Sequence, residues 1–344
     1  MAAFDRLYDQ EKTPPVQAAS PPTLPTKEEL VALARERGFD PVGVARVADV
    51  DRLLAPERRL GRISAQLPTV VALGRPMFRG VSAARHPGTK QFTAGRLHKW
   101  LDEQIADLSQ VLERRGVLAF PVSSLAIDFS AGGPLELTPA GQGSFALRQA
   151  AVVAGLGTLG LNEMLLTPRY GPRLYLGGLL TDVDLEPDQP LAQELCLGLE
   201  ACGRCAAVCP EQAIPLSALH GAPLSSIRGL DSPACARSSQ PMGVATFVRH
   251  LTSVAEAPNR LEQVQLVRNR LTGELWQEMA QLKEGAFTGC SACLDVCPVG
   301  EDYVRLQASP HRQDDLPNGV EHRLVGDTVQ VTWVGPTVRR AVTT

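Results

Sequence analysis

No apolar run in this 344-residue chain approaches the roughly 18 residues that a membrane-spanning helix needs, so no membrane partner is expected. The balance of charge is also unremarkable. A net charge of −3 and no broad basic stripe argue against tight nucleic-acid binding, which needs clustered Lys and Arg for phosphates. The N-terminus, MAAFDRLYDQEKTPPVQ, lacks the apolar core of a signal peptide and has no twin arginine, so the expected location is cytoplasmic. Cysteine is missing from the first 195 residues. A disulfide framework is out of place in such a chain, because disulfide-dense proteins are usually small and secreted.

What is present is ordinary globular material, 44% hydrophobic and 21% charged, and long enough for two domains at about 150 residues each. Prolines at 14, 15, 21, 22 and 25 mark residues 1–25 as an extended leader. Thr26-Lys-Glu-Glu29 is a capping box, which predicts a helix over 27–37 that stops at Gly38. PVGVARV (41–47), TVVALG (69–74), VLAFPV (117–122) and RLYLGGLL (173–180) read as strands. Leu97, Leu101, Ile105, Leu108 and Leu112 recur every three or four residues, giving a helix over 95–115 ended by Gly116. Residues 128–144, rich in Gly, Pro and Ser, read as a loop. One layered α/β unit over 26–187 follows from these elements. After EPDQP (186–190) the texture changes: residues 188–305 hold all the cysteines and a long insert, with helices expected at 242–255 and 260–283. In the tail, 306–344, TVQVTWV (328–334) reads as a strand.

The cysteines carry the chemistry. Cys202-Gly-Arg-Cys205-Ala-Ala-Val-Cys209-Pro210 repeats as Cys290-Ser-Ala-Cys293-Leu-Asp-Val-Cys297-Pro298, both C-x2-C-x3-C-P. The bacterial ferredoxin run is C-x2-C-x2-C-x3-C-P, and its fourth cysteine serves the other cluster. Each half here has one displaced upstream cysteine, Cys196 and Cys235. Two [4Fe–4S] clusters at four thiolates each need eight cysteines, and the chain has eight. On the exchange rule one cluster takes Cys196, Cys202, Cys205 and Cys297, and the other Cys209, Cys235, Cys290 and Cys293. The rival is zinc on C-x2-C pairs, which would use four of the thiolates and leave the C-P endings unexplained.

VVAGLGTLGLNE (152–163) raises a second possibility. Gly155, Gly157 and Gly160 fit G-x-G-x-x-G, and Asp182 and Asp184 follow at about the spacing of a ribose-holding acid. That motif needs a crossover helix after the glycines, however, and Pro168, Gly171 and Pro172 break any helix there. SFALRQAAVVA (144–154), with Ser144 as a cap, predicts a helix ending at Gly155 instead.

Taken together, RQAAVVAGLGTLGLNEMLLTPRYGPRLYLGGLLTDVDLEPD (148–188), the cysteine runs ending in C-P and the upstream ERGFDPVGVARV (36–47) resemble the epoxyqueuosine reductase and reductive dehalogenase superfamily. The matches are the A-G-L-G of Ala154–Gly157, the T-P-x-Y-G of Thr167–Gly171 and the T-D-x-x-L-x-x-D of Thr181–Asp188. The resemblance implies an α+β chain: a nitroreductase-like cobalamin-binding domain followed by a ferredoxin-like, iron–sulfur domain with two [4Fe–4S] clusters. It implies a base-off corrinoid between the two, with electron transfer from an external low-potential donor, a ferredoxin or flavodoxin, to an organic substrate. Gly155, Leu156, Gly157, Gly160, Asn162, Tyr170 and Gly171 would then lie beside the corrin.

The chain departs from the epoxyqueuosine reductases at informative places. Their proton-donating aspartate about fourteen residues before the glycines corresponds to Gly141. Their lysine in G-K-N corresponds to Leu161, with Asn162 kept. They carry a C-terminal helical extension that grips tRNA, which is not expected here, and dehalogenases are usually longer and exported. A small or medium organic substrate, rather than a nucleic acid, is the expectation. The candidate proton donors are Asp128, Glu136 and Tyr170. Each has a structural alternative: a turn cap, a solvated charge and a packed ring with its hydroxyl bonded to backbone. His98 reads as surface on a polar helix face, and His220 and His250 flank the cysteine insert. The competing functions are a pure electron-transfer protein, a reductive dehalogenase proper, a flavin or nicotinamide oxidoreductase, and a zinc-stabilised module.

Overall fold

The protein is described here by a computed structural model, covering residues 24–83, 87–122, 124, 127–128, 142–143, 146–214, 229–239, 244–273, 275–276, 290–303, 319–325, 328–334 and 339–343. The leader to residue 23, Ser144, Glu136 and His220 lie outside the described residues. The elements that position the site are α1 (Lys27–Glu36), β1 (Val42–Arg46), α2 (Val47–Asp51), β2 (Thr69–Pro76), α3 (Arg79–Ala83), α4 (Pro87–Glu113), β3 (Ala119–Val122), β4 (Ile127–Asp128), β5 (Gln142–Gly143), α5 (Leu147–Val153), β6 (Thr158–Leu159), β7 (Leu165–Leu166) and β8 (Leu174–Thr181).

α1 begins as its capping box dictates. Thr26 Oγ1 accepts from the Glu29 N–H at 3.2 Å, and the Glu29 carboxylate accepts from the Thr26 N–H at 3.2 Å. It ends where Gly38 takes a φ of +79°, with Phe39 N–H donating to Ala34 O at 3.1 Å and Gly38 N–H to Arg35 O at 2.8 Å. The four long strands form one antiparallel sheet in the order β1-β2-β8-β3. The mixed helix-and-sheet class is therefore α+β.

Alternate strand residues pack on opposite faces, as the pleat requires. Val44, Val71, Leu73 and Leu179 join Leu30 and Ala34 of α1 and Leu97, Leu101, Ile105, Leu108 and Leu112 of α4. Ala45, Val70, Ala72 and Leu180 join Val47 and Val50 of α2 and Ala150, Ala151 and Val152 of α5. The sheet is thus sandwiched between two helical layers. α4 starts earlier than its apolar repeat suggests, at Pro87, and the repeat itself is fully buried at Leu101, Ile105, Leu108 and Leu112. Each such leucine contributes roughly 1.5–3 kcal/mol of burial.

The expected helix over 260–283 is interrupted. Arg260–Val267 closes at Arg268, and the Asn269 side chain accepts from Thr272 N–H at 3.1 Å to begin a new turn; residues 277–289 are outside the described set. The helix near 242–255 is found as Val244–Glu256. The tail strand Thr328–Val334 is the centre of a three-stranded antiparallel sheet, flanked by Gly319–Val325 and Arg339–Thr343.

His98 corrects a sequence expectation. It is buried, not on the surface: its ring meets Tyr175 edge-on at 4.3 Å, and Nδ1 lies 3.2 Å from Ser124 Oγ. Burial pushes its pKa down to about 4, so it sits neutral in the α4 layer. The helix periodicity placed it beside Leu97 and Leu101, and packing against β8 covered it.

Candidate metal and electron-transfer site

Two short helices set the cysteine geometry. Gly198–Ala201 ends at Cys202, and Gly203, with φ +58°, turns the chain into the helix Arg204–Val208, which holds Cys205 and delivers Cys209 at its end. In the second repeat Ser291 starts the helix Ala292–Asp295, which holds Cys293, and Cys297 follows just past it. These two helices pack against each other. Cys235 comes from the helix Ser232–Ser239, started by Asp231, whose side chain accepts from Ala234 N–H at 2.9 Å.

All eight cysteines are free thiols; seven are half-buried and Cys297 is buried. Their electrostatic neighbours divide them in two. Cys205 is within reach of Cys196, Cys297 and Cys202, and Cys297 within reach of Cys196 and Cys202. Cys235 is within reach of Cys209, Cys290 of Cys235 and Cys209, and Cys293 of Cys290 and Cys235. One link, Cys293 to Cys205, joins the sets. The last cysteine of each run therefore lies with the opposite set. Among the described residues no three His, Cys, Asp or Glu groups gather tightly enough to hold a single ion.

Five of the thiols, Cys205, Cys235, Cys290, Cys293 and Cys297, are held away from ionisation. Burial and then neighbouring thiols push Cys205 up to about 11, burial pushes Cys290 up to about 12, and burial raises Cys293 well above its ordinary value. Thiolates so placed need a positive charge among them, which iron would supply. The backbone also faces the sulfurs: Ala206, Ala292 and Val299 N–H groups favour the thiolates of Cys205, Cys290 and Cys297, and Ala213 N–H donates to Cys209 Sγ at 3.3 Å. Asn162 is a further fit. Its side chain is 3% exposed, its Nδ2 has no hydrogen-bond partner in the protein, and it faces Cys293, whose thiolate it favours. A cluster sulfur is the acceptor that would satisfy it. Cysteine sulfurs with N–H donors directed at them are a donor set that fits iron–sulfur ligation.

The glycine stretch has clear local roles in the chain. Gly155 takes φ +72° after α5, donating to Val152 O at 3.0 Å while Leu156 N–H donates to Ala151 O at 2.9 Å, the pattern of a left-handed helix end. A Cβ on Gly157 would strike the carbonyl oxygen of Leu166, so this glycine lets two backbone segments cross. Gly160 lies against the Asn162 side chain. Leu156, Gly157, Gly160, Asn162, Tyr170 and Gly171 are buried and Gly155 half-buried. Gly160, Leu161 and Asn162 line a cavity together with Cys196, Cys202, Cys205 and Cys297. The nucleotide alternative fails: Asp182 accepts from Leu118 N–H at 2.9 Å and Asp184 pairs with Arg46 at 2.8 Å, so both fasten the sheet.

Of the proton-donor candidates, Asp128 and Tyr170 fall within the described residues. Asp128 lies on β4, paired in register with Gln142, and nothing further of its side chain is described. Tyr170 is 6% exposed and its hydroxyl donates to Asp40, not to backbone. Burial and that carboxylate raise its pKa, which makes it a poor acid. His250 is buried with Nε2 2.8 Å from Thr272 Oγ1, tying two helices of the insert together. Sequence reasoning missed Arg173. It is 2% exposed and donates to the carbonyls of Cys297 at 2.6 Å, Val299 at 3.0 Å and Asp295 at 3.2 Å. Its position in an apolar strand, RLYLGGLL, was the available signal, since a buried arginine needs acceptors. Tyr303 stacks under its guanidinium at 4.7 Å and donates to Met77 O at 2.5 Å.

No family model matches the chain. Over 216 residues it is 28% identical to an epoxyqueuosine reductase of Gloeobacter violaceus, covering 55% of this chain and 61% of that protein. Over 67 residues it is 43% identical to a tetrachloroethene reductive dehalogenase of Desulfitobacterium hafniense, covering 19% of this chain and 12% of that one. Among solved structures, a selenomethionine-labelled epoxyqueuosine reductase matches with 19% identity and a TM-score of 0.45, over 80% of this chain and 65% of that chain. The chain spans less than two thirds of the length of each of these proteins. The sequence matches support membership, at modest identity, of the superfamily that holds epoxyqueuosine reductases and reductive dehalogenases. No described helix is long and apolar enough to cross a membrane.

Proposed function

We propose that the chain is an iron–sulfur oxidoreductase that takes electrons from a low-potential ferredoxin or flavodoxin and delivers them, through two [4Fe–4S] sites, to a cobalamin-dependent reduction of a small or medium organic substrate. The observation that carries the electron-transfer part is the exchange of Cys209 and Cys297 between the two thiol sets. Cys196, Cys202, Cys205 and Cys297 would hold one cluster, and Cys209, Cys235, Cys290 and Cys293 the other. When bound, the clusters supply one-electron carriers and a base-off corrinoid supplies a strongly reducing metal.

The chain's own residues do the rest. Asn162 and the Ala206, Ala292, Ala213 and Val299 amides orient donors toward sulfur. Arg173 holds the loop that presents Cys297. Asp128 and Glu136 are the proton-donor proposals, since the Tyr170 hydroxyl is committed to Asp40. Gly141 and Leu161, where epoxyqueuosine reductases carry an acid and a lysine, favour a substrate other than epoxyqueuosine in tRNA.

The corrinoid rests on the family likeness; of the residues expected beside it, six are buried and Gly155 is half-buried. That burial favours a second reading, an electron-transfer protein serving a partner enzyme. Reconstitution with hydroxocobalamin separates the two. The reductase reading predicts about one corrin retained per chain after desalting, with a Co(II) EPR spectrum free of nitrogen hyperfine splitting. A protein that holds its clusters and retains no corrin is the relay.

A further inference from the structure

The charges around the two thiol sets differ in sign. Beside the first set, Arg173 is buried to 2% exposure, and its recorded hydrogen-bond partners are the carbonyls of Asp295, Cys297 and Val299. Its electrostatic neighbours are the Cys297 thiol, the Asp295 carboxylate and the Tyr303 hydroxyl. Beside the second set stand acids. Glu163, 3% exposed, and Glu211 are within electrostatic reach of Cys235, and Asp295 of Cys290. Glu163 and Glu211 are partly neutralised. Arg148 lies 3.5 Å from Glu163 Oε2, Leu230 N–H donates to Glu163 Oε1 at 3.1 Å, and Arg237 lies 2.8 Å from Glu211. A buried cation keeps its field because little water screens it.

We infer that the two cluster sites are built at different potentials, with the Cys297 site the higher, and that Arg173 sets the difference. The inference rests on the proposed cluster ligation. Reduction adds one negative charge to a site; a fixed positive charge beside it favours that state, and fixed negative charges oppose it. One electron leaves the Cys235 site and enters the Cys297 site. No bond forms or breaks, and the external ferredoxin or flavodoxin replaces the electron. Electrons therefore run toward the Arg173 side, where the strand β8 joins the sheet domain to the cluster loop. Arg173 is a positioning residue that acts through the cluster and touches no substrate.

The test is a potentiometric EPR titration of the full-length, cluster-loaded protein, with iron and sulfide counted first. Cys297→Ser identifies which wave belongs to which site. Arg173→Gln should move the Cys297 wave negative by at least tenfold in the reduction equilibrium, 59 mV for one electron, and leave the other wave in place. Arg173→Lys should restore most of the shift, because it keeps the charge. Glu163→Gln should move the Cys235 wave positive, and it carries the test if Arg173→Gln fails to keep iron. A loaded Arg173→Gln protein with both waves unmoved, or a lysine variant shifted as far as the glutamine one, overturns the inference. Absence of clusters from the unmodified protein overturns the proposed function, and this inference with it.

Discussion

Replacing Cys297 with serine should remove about four of eight irons, and the loss should fall on the site whose other ligands lie near residue 200. Cys297 is adjacent in sequence to Cys290 and Cys293, yet its electrostatic neighbours are Cys196, Cys202 and Cys205. The reason is local. The helix Ala292–Asp295 ends at Val296, and Arg173 donates to the Cys297 carbonyl at 2.6 Å, which fixes the loop past the helix. The EPR signal of the Cys235 site should survive. Electron delivery to substrate should fall by at least roughly a hundredfold, beyond the 10- to 100-fold typical of losing an outer-shell partner. Loss of the signal from the Cys290 and Cys293 site alone would refute the exchange.

Gly171→Ala should be the most damaging single-atom change in the fold. Gly171 has φ +57°, a region that costs a non-glycine residue roughly 1 kcal/mol. An added Cβ would also collide with the Val299 carbonyl oxygen, while the residue exchanges two backbone hydrogen bonds with Thr167, at 3.1 and 2.8 Å. Neither backbone segment can yield easily, because Val299 O is also an Arg173 acceptor. Overpacking of this kind costs typically 1–3 kcal/mol more. The sum, roughly 2–4 kcal/mol, corresponds to a fall of about 3–6 °C in thermal midpoint for a chain of 344 residues. Iron retention should fall with it, since the same loop presents Cys297. A midpoint within about 2 °C of the unmodified protein would contradict this placement of Gly171.

Local rules read well in the sequence. The Thr26 and Glu29 box, the leucine repeat of α4, the strand runs and the helix ending at Gly155 all rest on contacts within a few residues, and the structure forms them. The proposed division of the cysteines rests on an internal repeat whose C-P endings carry their own pairing rule. Long-range contacts were not legible. Asp182 and Asp184 had the spacing of ribose ligands and are sheet fasteners. His98 had polar neighbours along its helix and is covered by Tyr175 from β8. Gly157 had the pattern of a cofactor turn, and its partner is the Leu166 carbonyl. Arg173 looked like one polar residue in a strand, and only tertiary contact reveals three carbonyls converging on it.

Iron and acid-labile sulfide analysis of anaerobically purified protein tests the central claim most directly. Two [4Fe–4S] sites on the eight cysteines predict about eight irons and eight sulfides per chain. Stoichiometric zinc without iron would contradict it.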